Sequence, residues 1–454
     1  MRITRLFSKL NNRHFFSLAG NVVMSAFTIL SMAMLYSFLP DRVAVGNWVF
    51  FQTMFSLVDM FRTGFLTTAT IKFYAGADKN RAMEVVGSTW VLGSLITLGL
   101  LLLNIPALLL VKIVHVDGLH FFLQWFGISY LLTMPTFVAN CILQAEGRFD
   151  RLFYMRAVTQ VSFVLSLFIF ILLHRLTLGT VIFSYLLSLG LTSLFVLVKG
   201  WTYVSSWRRR SKQAITDLYN YGKYSVMGNI SSYLLRASDI IVIALMFKGD
   251  EGTALVAVYN LGLKLMEIIE IPLRSFVATA MPTLSAFYTQ GRKEELIYTM
   301  KKYAGMLTLA LIPVCLGGVL LADVAVYIVG HKNMAGTEAA NILRLFLTFA
   351  LLFPADRFLA VGLDAIHKPN INFYKIVVML VVNVAGDFAG IAIFGNIYGL
   401  AITTIFPTII GVLVGYWYLR KYQPFRLRDI YVVGFRETKL LIQNTLKQRH
   451  SVNQ

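Results

Sequence analysis

Long apolar runs separated by short polar loops dominate this chain of 454 residues. A helix needs about 20 mostly apolar residues to cross a bilayer, because the hydrocarbon core is about 30 Å thick. Twelve runs reach that length, and they cover residues 15–39, 44–71, 82–111, 119–143, 153–173, 178–198, 224–247, 254–280, 303–322, 340–362, 371–394 and 397–419. The sequence therefore predicts an all-α integral membrane protein with about 12 transmembrane helices.

The positions of the basic residues predict the orientation of the chain. With the N-terminus placed in the cytoplasm, 30 of the 41 Lys and Arg residues fall in cytoplasmic segments and only 5 in the opposite loops. Cytoplasmic loops are rich in Lys and Arg, so this bias predicts a multi-pass protein with both termini cytoplasmic. The net charge of +19 then faces anionic membrane lipids, and no nucleic-acid partner is needed to explain it.

Motifs of covalent chemistry are missing from the sequence. It contains no Gly-rich phosphate loop, no nucleophile elbow and no HExxH zinc motif. Cys141 and Cys315 lie in different predicted spans, and no His or Cys cluster has the spacing of a zinc site. We therefore expect no catalytic residues, no enzyme activity, and no metal or cofactor.

The two halves of the chain resemble each other. Gly20-Asn21, at the start of the first predicted span, recurs as Gly228-Asn229 at the start of the seventh. Asp59 likewise has a counterpart in Glu270, at a spacing of 211 residues. Because both copies start on the same side, this is a parallel repeat of six spans, typical of transporters that alternate access to a central cavity between two lobes.

The repeat predicts four regions. A six-helix lobe covers residues 1–198, a basic cytoplasmic linker covers 199–223, and a second six-helix lobe covers 224–419. The remaining residues, 420–454, form a basic cytoplasmic tail. Apolar and basic residues alternate in that tail, as in an amphipathic helix that lies on an anionic membrane surface.

Charged residues inside predicted spans mark the candidate functional region. Span 254–280 carries four charges within about 120° of one helical face, at Lys264, Glu267, Glu270 and Arg274. A charge at bilayer depth costs about 2.5 kcal/mol or more, so these side chains must face protein or water. Two explanations stay open. The charges form local ion pairs at i,i+3 or i,i+4 spacing, or the cations line a cavity that accepts an anion.

Further charges lie on the second, seventh and tenth spans, whereas spans three to six carry none in their apolar cores. This uneven distribution favours an anion-binding cavity. Five cations are predicted to bind substrate: Arg62, Arg236, Lys264, Arg274 and Arg357. Four carboxylates are predicted to hold those cations in place or to couple transport to protons or sodium: Asp59, Asp239, Glu267 and Glu270.

Several segments carry a resemblance to a known family. They are SLAGNVVMSAF in the first span, DMFRTGF in the second span running into KFYAGADKNR, and LLRASDIIVIALMF in the seventh. Together with the duplicated twelve-span layout, they resemble the polysaccharide transporters of the multidrug/oligosaccharidyl-lipid/polysaccharide exporter superfamily, the Wzx-type O-antigen flippases. The resemblance covers about residues 10–422.

The resemblance implies a protein of the bacterial inner membrane that moves undecaprenyl-diphosphate-linked oligosaccharide from the cytoplasmic to the periplasmic leaflet. The family's cationic cavity maps by span and depth onto Arg62, Arg236, Lys264 and Arg274. Pathway partners implied in the same way are a polysaccharide polymerase and glycosyltransferases of lipopolysaccharide synthesis.

Two other functions stay open. A cation-coupled multidrug or small-molecule exporter of the same superfamily would use the acidic residues instead. A membrane-embedded glycosyltransferase or polymerase would need a catalytic acid/base group and a large periplasmic loop, whereas the longest outside loop covers only residues 323–339.

Overall fold

The computed structural model describes residues 12–111 and 117–452, and these residues form helices and no β-strand. Two short 3₁₀ helices, Val204–Arg209 and Ala350–Leu352, interrupt the α-helices. The α-helices in chain order are α1 (Asn12–Phe38), α2 (Arg42–Tyr74), α3 (Lys79–Leu110), α4 (Asp117–Leu132), α5 (Met134–Ala145), α6 (Phe149–Leu172), α7 (Leu178–Val198), α8 (Lys212–Met246), α9 (Gly249–Thr289), α10 (Lys293–Leu320), α11 (Ala322–Met334), α12 (Ala339–Phe349), α13 (Phe353–Ala365), α14 (Pro369–Phe394), α15 (Tyr398–Thr403), α16 (Ile405–Tyr422) and α17 (Asp429–Val452).

Eight segments of the described chain are long and apolar enough to cross a membrane. They are α3, α6, α7, α8, α10, α12 with α13, α14, and α15 with α16. A ninth arises if α4 and α5, which are bent by 50° at their junction, count as one span. Each of the twelve predicted runs overlaps one or two α-helices. The all-α membrane fold is therefore confirmed, whereas the number of twelve spans stays a prediction.

The chain divides into two compact units. One contains the described residues up to Ala257 together with Ile328–Met334, and the other contains Val258–Tyr327 and the described residues from Ala335 onward. Helix α8, the seventh predicted span, belongs to the first of these units, and its first three turns occupy residues 212–223 of the predicted linker. The predicted lobes and the cavity between them stay a prediction.

Helices α2 and α8 pack closely in the first unit. A Cβ atom added at Gly64 would lie 2.9 Å from the Cβ of Asn229, and one added at Gly222 would lie 2.6 Å from the carbonyl oxygen of Phe65. Glycine therefore lets the two helices approach more closely than a larger residue would allow. The hydroxyl of Tyr233 also donates a hydrogen bond to a carbonyl of α2, that of Thr53, at 3.0 Å.

The C-terminal helix α17 packs against α10 in the second unit. A Cβ atom added at Gly305 would lie only 2.1 Å from the carbonyl oxygen of Ile430, so the two backbones touch. Polar contacts extend this interface, because Glu437 accepts a hydrogen bond from Tyr298 at 2.6 Å and pairs with Lys302 at 2.5 Å. The predicted tail is thus helical over Asp429–Val452 and docked on a span, while its contact with the membrane surface stays a prediction.

Candidate functional site

The guanidinium of Arg62 lies inside the first unit, where its side chain is 1% exposed. It pairs with Asp59 at 2.8 Å and donates hydrogen bonds to the hydroxyl of Thr133 at 2.7 Å and to the carbonyl of Tyr130 at 3.3 Å. It also stacks on the ring of Tyr130, 4.1 Å from the ring centroid. These contacts place Arg62 in a structural ion pair in this conformation, and its predicted contact with an anion is not tested.

The position of Arg62 is explained by the break between α4 and α5. Pro135 has no N–H, so the carbonyl of Leu131, four residues earlier, loses its helical partner and the helix bends. The neighbouring carbonyl of Tyr130 accepts from both the hydroxyl of Thr133, at 2.8 Å, and Arg62. Broken backbone at membrane depth must find its partners inside the protein, and Thr133 and Arg62 both supply a donor to the carbonyl that adjoins the break.

Two other predicted residues lie one turn apart on α8. Asp239 is buried, at 4% exposure, whereas Arg236 is exposed. The side chains of Arg236 and Asp239 therefore differ in their access to water or to a ligand.

On α9, Lys264 forms a neutral pair with Glu267. The ammonium group lies 3.0 Å from the nearer carboxylate oxygen, and both side chains are more than 40% exposed, at 41% and 46%. Because the pair carries no net charge, it attracts an anion only weakly. Of the two explanations that the sequence left open, the local ion pair at i,i+3 spacing applies to Lys264 and Glu267.

One turn further along α9, a single carboxylate is shared by two arginines. Glu270, whose side chain is 14% exposed, lies 3.1 Å from Arg274 and 3.8 Å from Arg357 of α13. The two guanidinium groups are 52% and 44% exposed. The cluster therefore carries one uncompensated positive charge and leaves guanidinium N–H groups open, which suits a phosphate or carboxylate.

Asp356, which precedes Arg357, does not neutralise it. The carboxylate of Asp356 instead pairs with Lys375 of α14 at 2.8 Å, and the side chain of Lys375 is 3% exposed. A Cβ atom added at Gly411 would lie 2.5 Å from a carboxylate oxygen of Asp356, so α16 closes over the pair. The sequence-based prediction missed Lys375, because it was counted among the basic residues of a cytoplasmic loop.

The described residues contain no group of three His, Cys, Asp or Glu side chains that could hold a metal ion. Cys141 and Cys315 are both buried and free. The predicted coupling by protons or sodium is not tested by these observations.

The same fold occurs in solved membrane transporters. The chain superimposes on the lipid II flippase MurJ, in an inward closed conformation, with a TM-score of 0.73 and 12% identity over 95% of this chain and 92% of MurJ. It superimposes on an inward-facing multidrug resistance MATE family transporter of the MOP superfamily with a TM-score of 0.72 and 17% identity over 90% of this chain and 95% of that one. At these identities the likeness establishes the fold alone.

Comparisons of sequence are more specific. The chain is 21% identical over 301 residues to a probable low-salt glycan biosynthesis flippase, Agl15, of Haloferax volcanii. This match covers 66% of the chain and spans 61% of the length of that relative. A family described as polysaccharide biosynthesis protein matches residues 44–332, which is more than half of the sequence. The chain therefore belongs to this polysaccharide biosynthesis protein family.

Proposed function

We propose that this protein is a flippase that moves a lipid-linked oligosaccharide across a membrane by alternating access. The proposed substrate is undecaprenyl-diphosphate-linked oligosaccharide, carried from the cytoplasmic to the periplasmic leaflet of a bacterial inner membrane. The proposal draws on the family match, on the relative named as a glycan biosynthesis flippase, and on the bias of basic residues toward one side of the membrane. A polymerase and glycosyltransferases of the same pathway are proposed partners.

The observation that carries the proposal is the cluster of Arg274, Glu270 and Arg357. A diphosphate with a hydrophilic glycan cannot cross hydrocarbon unaided, because removing its charges from water costs many kcal/mol. Exposed guanidinium groups replace part of that hydration with charge-assisted hydrogen bonds. The shared carboxylate holds both arginines in place while leaving the cluster with a net positive charge.

The test is translocation of a fluorescent undecaprenyl-diphosphate oligosaccharide in proteoliposomes. We expect the variant with both Arg274→Gln and Arg357→Gln to lose most translocation when it is reconstituted at the same amount of folded protein as the wild type. Arg292→Gln is the matched control, because Arg292 is also an exposed arginine paired with a glutamate, but it lies at the start of α10. Undiminished translocation by the double variant would contradict the assignment of this cluster.

A cation-coupled exporter of small molecules is the second candidate, and the burial of Asp239 favours it. A carboxylate at 4% exposure within a membrane helix is the kind of group that binds protons or sodium in transporters. This function predicts that Asp239→Asn abolishes transport of a lipophilic cation, whereas the Arg274 and Arg357 variant retains it. The same two variants, assayed on both substrates, separate the two functions.

A further inference from the structure

A cavity of about 590 Å³ opens in the first unit at the basic ends of its helices. Its walls come from four segments: the end of α2, the start of α3, the end of α5 and the 3₁₀ helix Val204–Arg209. Lys79 and Arg209 supply its cations, Glu146 its carboxylate, and Tyr203 and Ser205 two of its hydroxyl groups. It contains none of the residues assigned above to substrate binding.

The 3₁₀ helix is fixed tightly on α3. A Cβ atom added at Gly87 would lie 2.2 Å from the carbonyl oxygen of Ser206, and the indole N–H of Trp90 donates to the carbonyl of Thr202 at 3.0 Å. Tyr203, between these anchors, adopts the left-handed conformation at φ 43°, which is unfavourable for a residue with a side chain. Such a conformation persists where the surroundings enforce it, as the contacts of Ser206 and Thr202 with α3 do here.

The basic residues beside the cavity have carboxylate or aromatic partners within the protein. Arg81 pairs with Asp217 at 2.6 Å, Arg148 pairs with Asp150 at 3.0 Å, and Lys72 stacks on the ring of Tyr221. By contrast, the side chains of Lys79 and Arg209 have no ion pair or hydrogen bond to any residue that the structure describes. The cavity thus holds two cations whose charge is available to a ligand.

The single carboxylate of the cavity is engaged by tyrosine hydroxyl groups. Tyr74 donates a hydrogen bond to Glu146 at 2.8 Å. The hydroxyl of Tyr203 is protonated at neutral pH and can donate, and burial, followed by the charge of Glu146, raises its pKa further above the usual 10.0. With one carboxylate against two cations, the cavity has a net charge of +1 and several donors, which fits a phosphate group.

We propose that this cavity binds the phosphate group of a membrane lipid, with Lys79 and Arg209 as its cationic contacts. The basic ends of the helices face the inner leaflet in the proposed function, and in that respect the inference rests on it. Two lipids present the required chemistry there, the headgroup of an abundant phospholipid and the diphosphate of a polyprenyl lipid. In the second case the cavity receives the transported lipid before translocation.

The test measures lipid binding to the full chain in detergent by native mass spectrometry. The probes are phosphatidylglycerol, phosphatidylethanolamine, undecaprenyl diphosphate and, as a lipid without phosphate, diacylglycerol. We expect Lys79→Ala with Arg209→Ala to weaken binding of the phosphate lipids by about tenfold or more, because two charge-assisted contacts are lost. The matched control is Arg208→Ala with Arg210→Ala, two exposed arginines that flank Arg209 and do not line the cavity.

A second variant, Glu146→Gln, is expected to raise the affinity for phosphate lipids. Glu146→Gln keeps an oxygen that accepts from Tyr74 but removes the negative charge, so binding of the phosphate lipids should become several-fold tighter. This variant keeps the test decisive even if the double alanine variant unfolds, because a gain of affinity requires a folded site. A preference for undecaprenyl diphosphate identifies the transported lipid as the ligand, and a preference for either phospholipid identifies the bulk membrane.

Three results would overturn the inference. They are equal losses in the cavity variant and its control, equal binding of diacylglycerol, and no effect of Glu146→Gln. Because binding in detergent requires no transport, these results are independent of the translocation assay. Failure of the flippase proposal appears instead as unchanged translocation in the variant of Arg274 and Arg357.

Discussion

Replacing Arg62 by alanine removes the only described ion-pair partner of Asp59 and one of the two donors to the carbonyl of Tyr130 beside the break between α4 and α5. Removing one member of a buried pair costs about 3–5 kcal/mol, because the remaining charge is left without compensation. Arg62 is 1% exposed and Asp59 is 22% exposed, so water reaches only one side of the pair. We therefore expect Arg62→Ala to lower the free energy of unfolding by about 3–5 kcal/mol.

The measurement is equilibrium unfolding in mixed detergent micelles, followed by far-UV circular dichroism. Arg274→Ala is the control, because that arginine is 52% exposed and its loss should change the free energy of unfolding by no more than about 1 kcal/mol. Asp59→Asn with Arg62→Met should recover part of the loss, with a coupling energy of about 1–3 kcal/mol. If Arg62→Ala unfolds like the wild type but no longer translocates lipid, then Arg62 contacts substrate and the structural explanation is wrong.

Three further predictions concern the second unit. The hydrogen bonds that Glu437 accepts, first that from Lys302, hold its pKa below the usual 4.5. Its contribution to the docking of α17 is therefore complete above pH 4.5 and is lost as the pH falls through the lowered pKa. Acidification below pH 4.5 should therefore increase hydrogen exchange in α17. Lys375→Met alone should destabilise the unit by about 3–5 kcal/mol, and adding Asp356→Leu should restore most of that loss. Gly434→Val should detach α17 and expose it to proteolysis, because its Cβ would lie 2.3 Å from the backbone of α10.

Each of the three predictions on the second unit has a control or an outcome that would contradict it. Glu437→Gln should remove the dependence of exchange on acid, and a dependence that persists would assign it to another group. Equal stability of the single and double variants at Asp356 and Lys375 would show that the two charges do not interact. Gly317→Val is the control for the glycine substitution, because nothing lies within 4 Å of a Cβ atom at that position of α10.

The elements that follow from local spacing could be predicted from the sequence. Apolar runs of the length of a bilayer gave helices, and helical periodicity brought Glu270 to Arg274 and Lys264 to Glu267. The break at Pro135 follows from the missing N–H of proline, although the sequence does not say which side chain fills it.

What depends on packing between distant helices could not be predicted. Arg357 joins Glu270 across 87 residues, and Lys375 reaches Asp356 from the next helix, and no periodicity encodes either contact. Arg62 and Arg274 look alike in the sequence, as arginines one turn after an acid within a predicted span. Only their burial, 1% against 52% exposure, separates a structural cation from one that is open to a ligand.

The contact between Gly305 and Gly434 has a consequence for the order in which the protein is made. Gly305 of α10 leaves the ribosome 129 residues before Gly434 of α17. Helix α10 therefore enters the membrane before the helix that covers Gly305 has been made. Until α17 has been made, the backbone of α10 at Gly305 is uncovered, so the docking of α17 has to follow the insertion of α10.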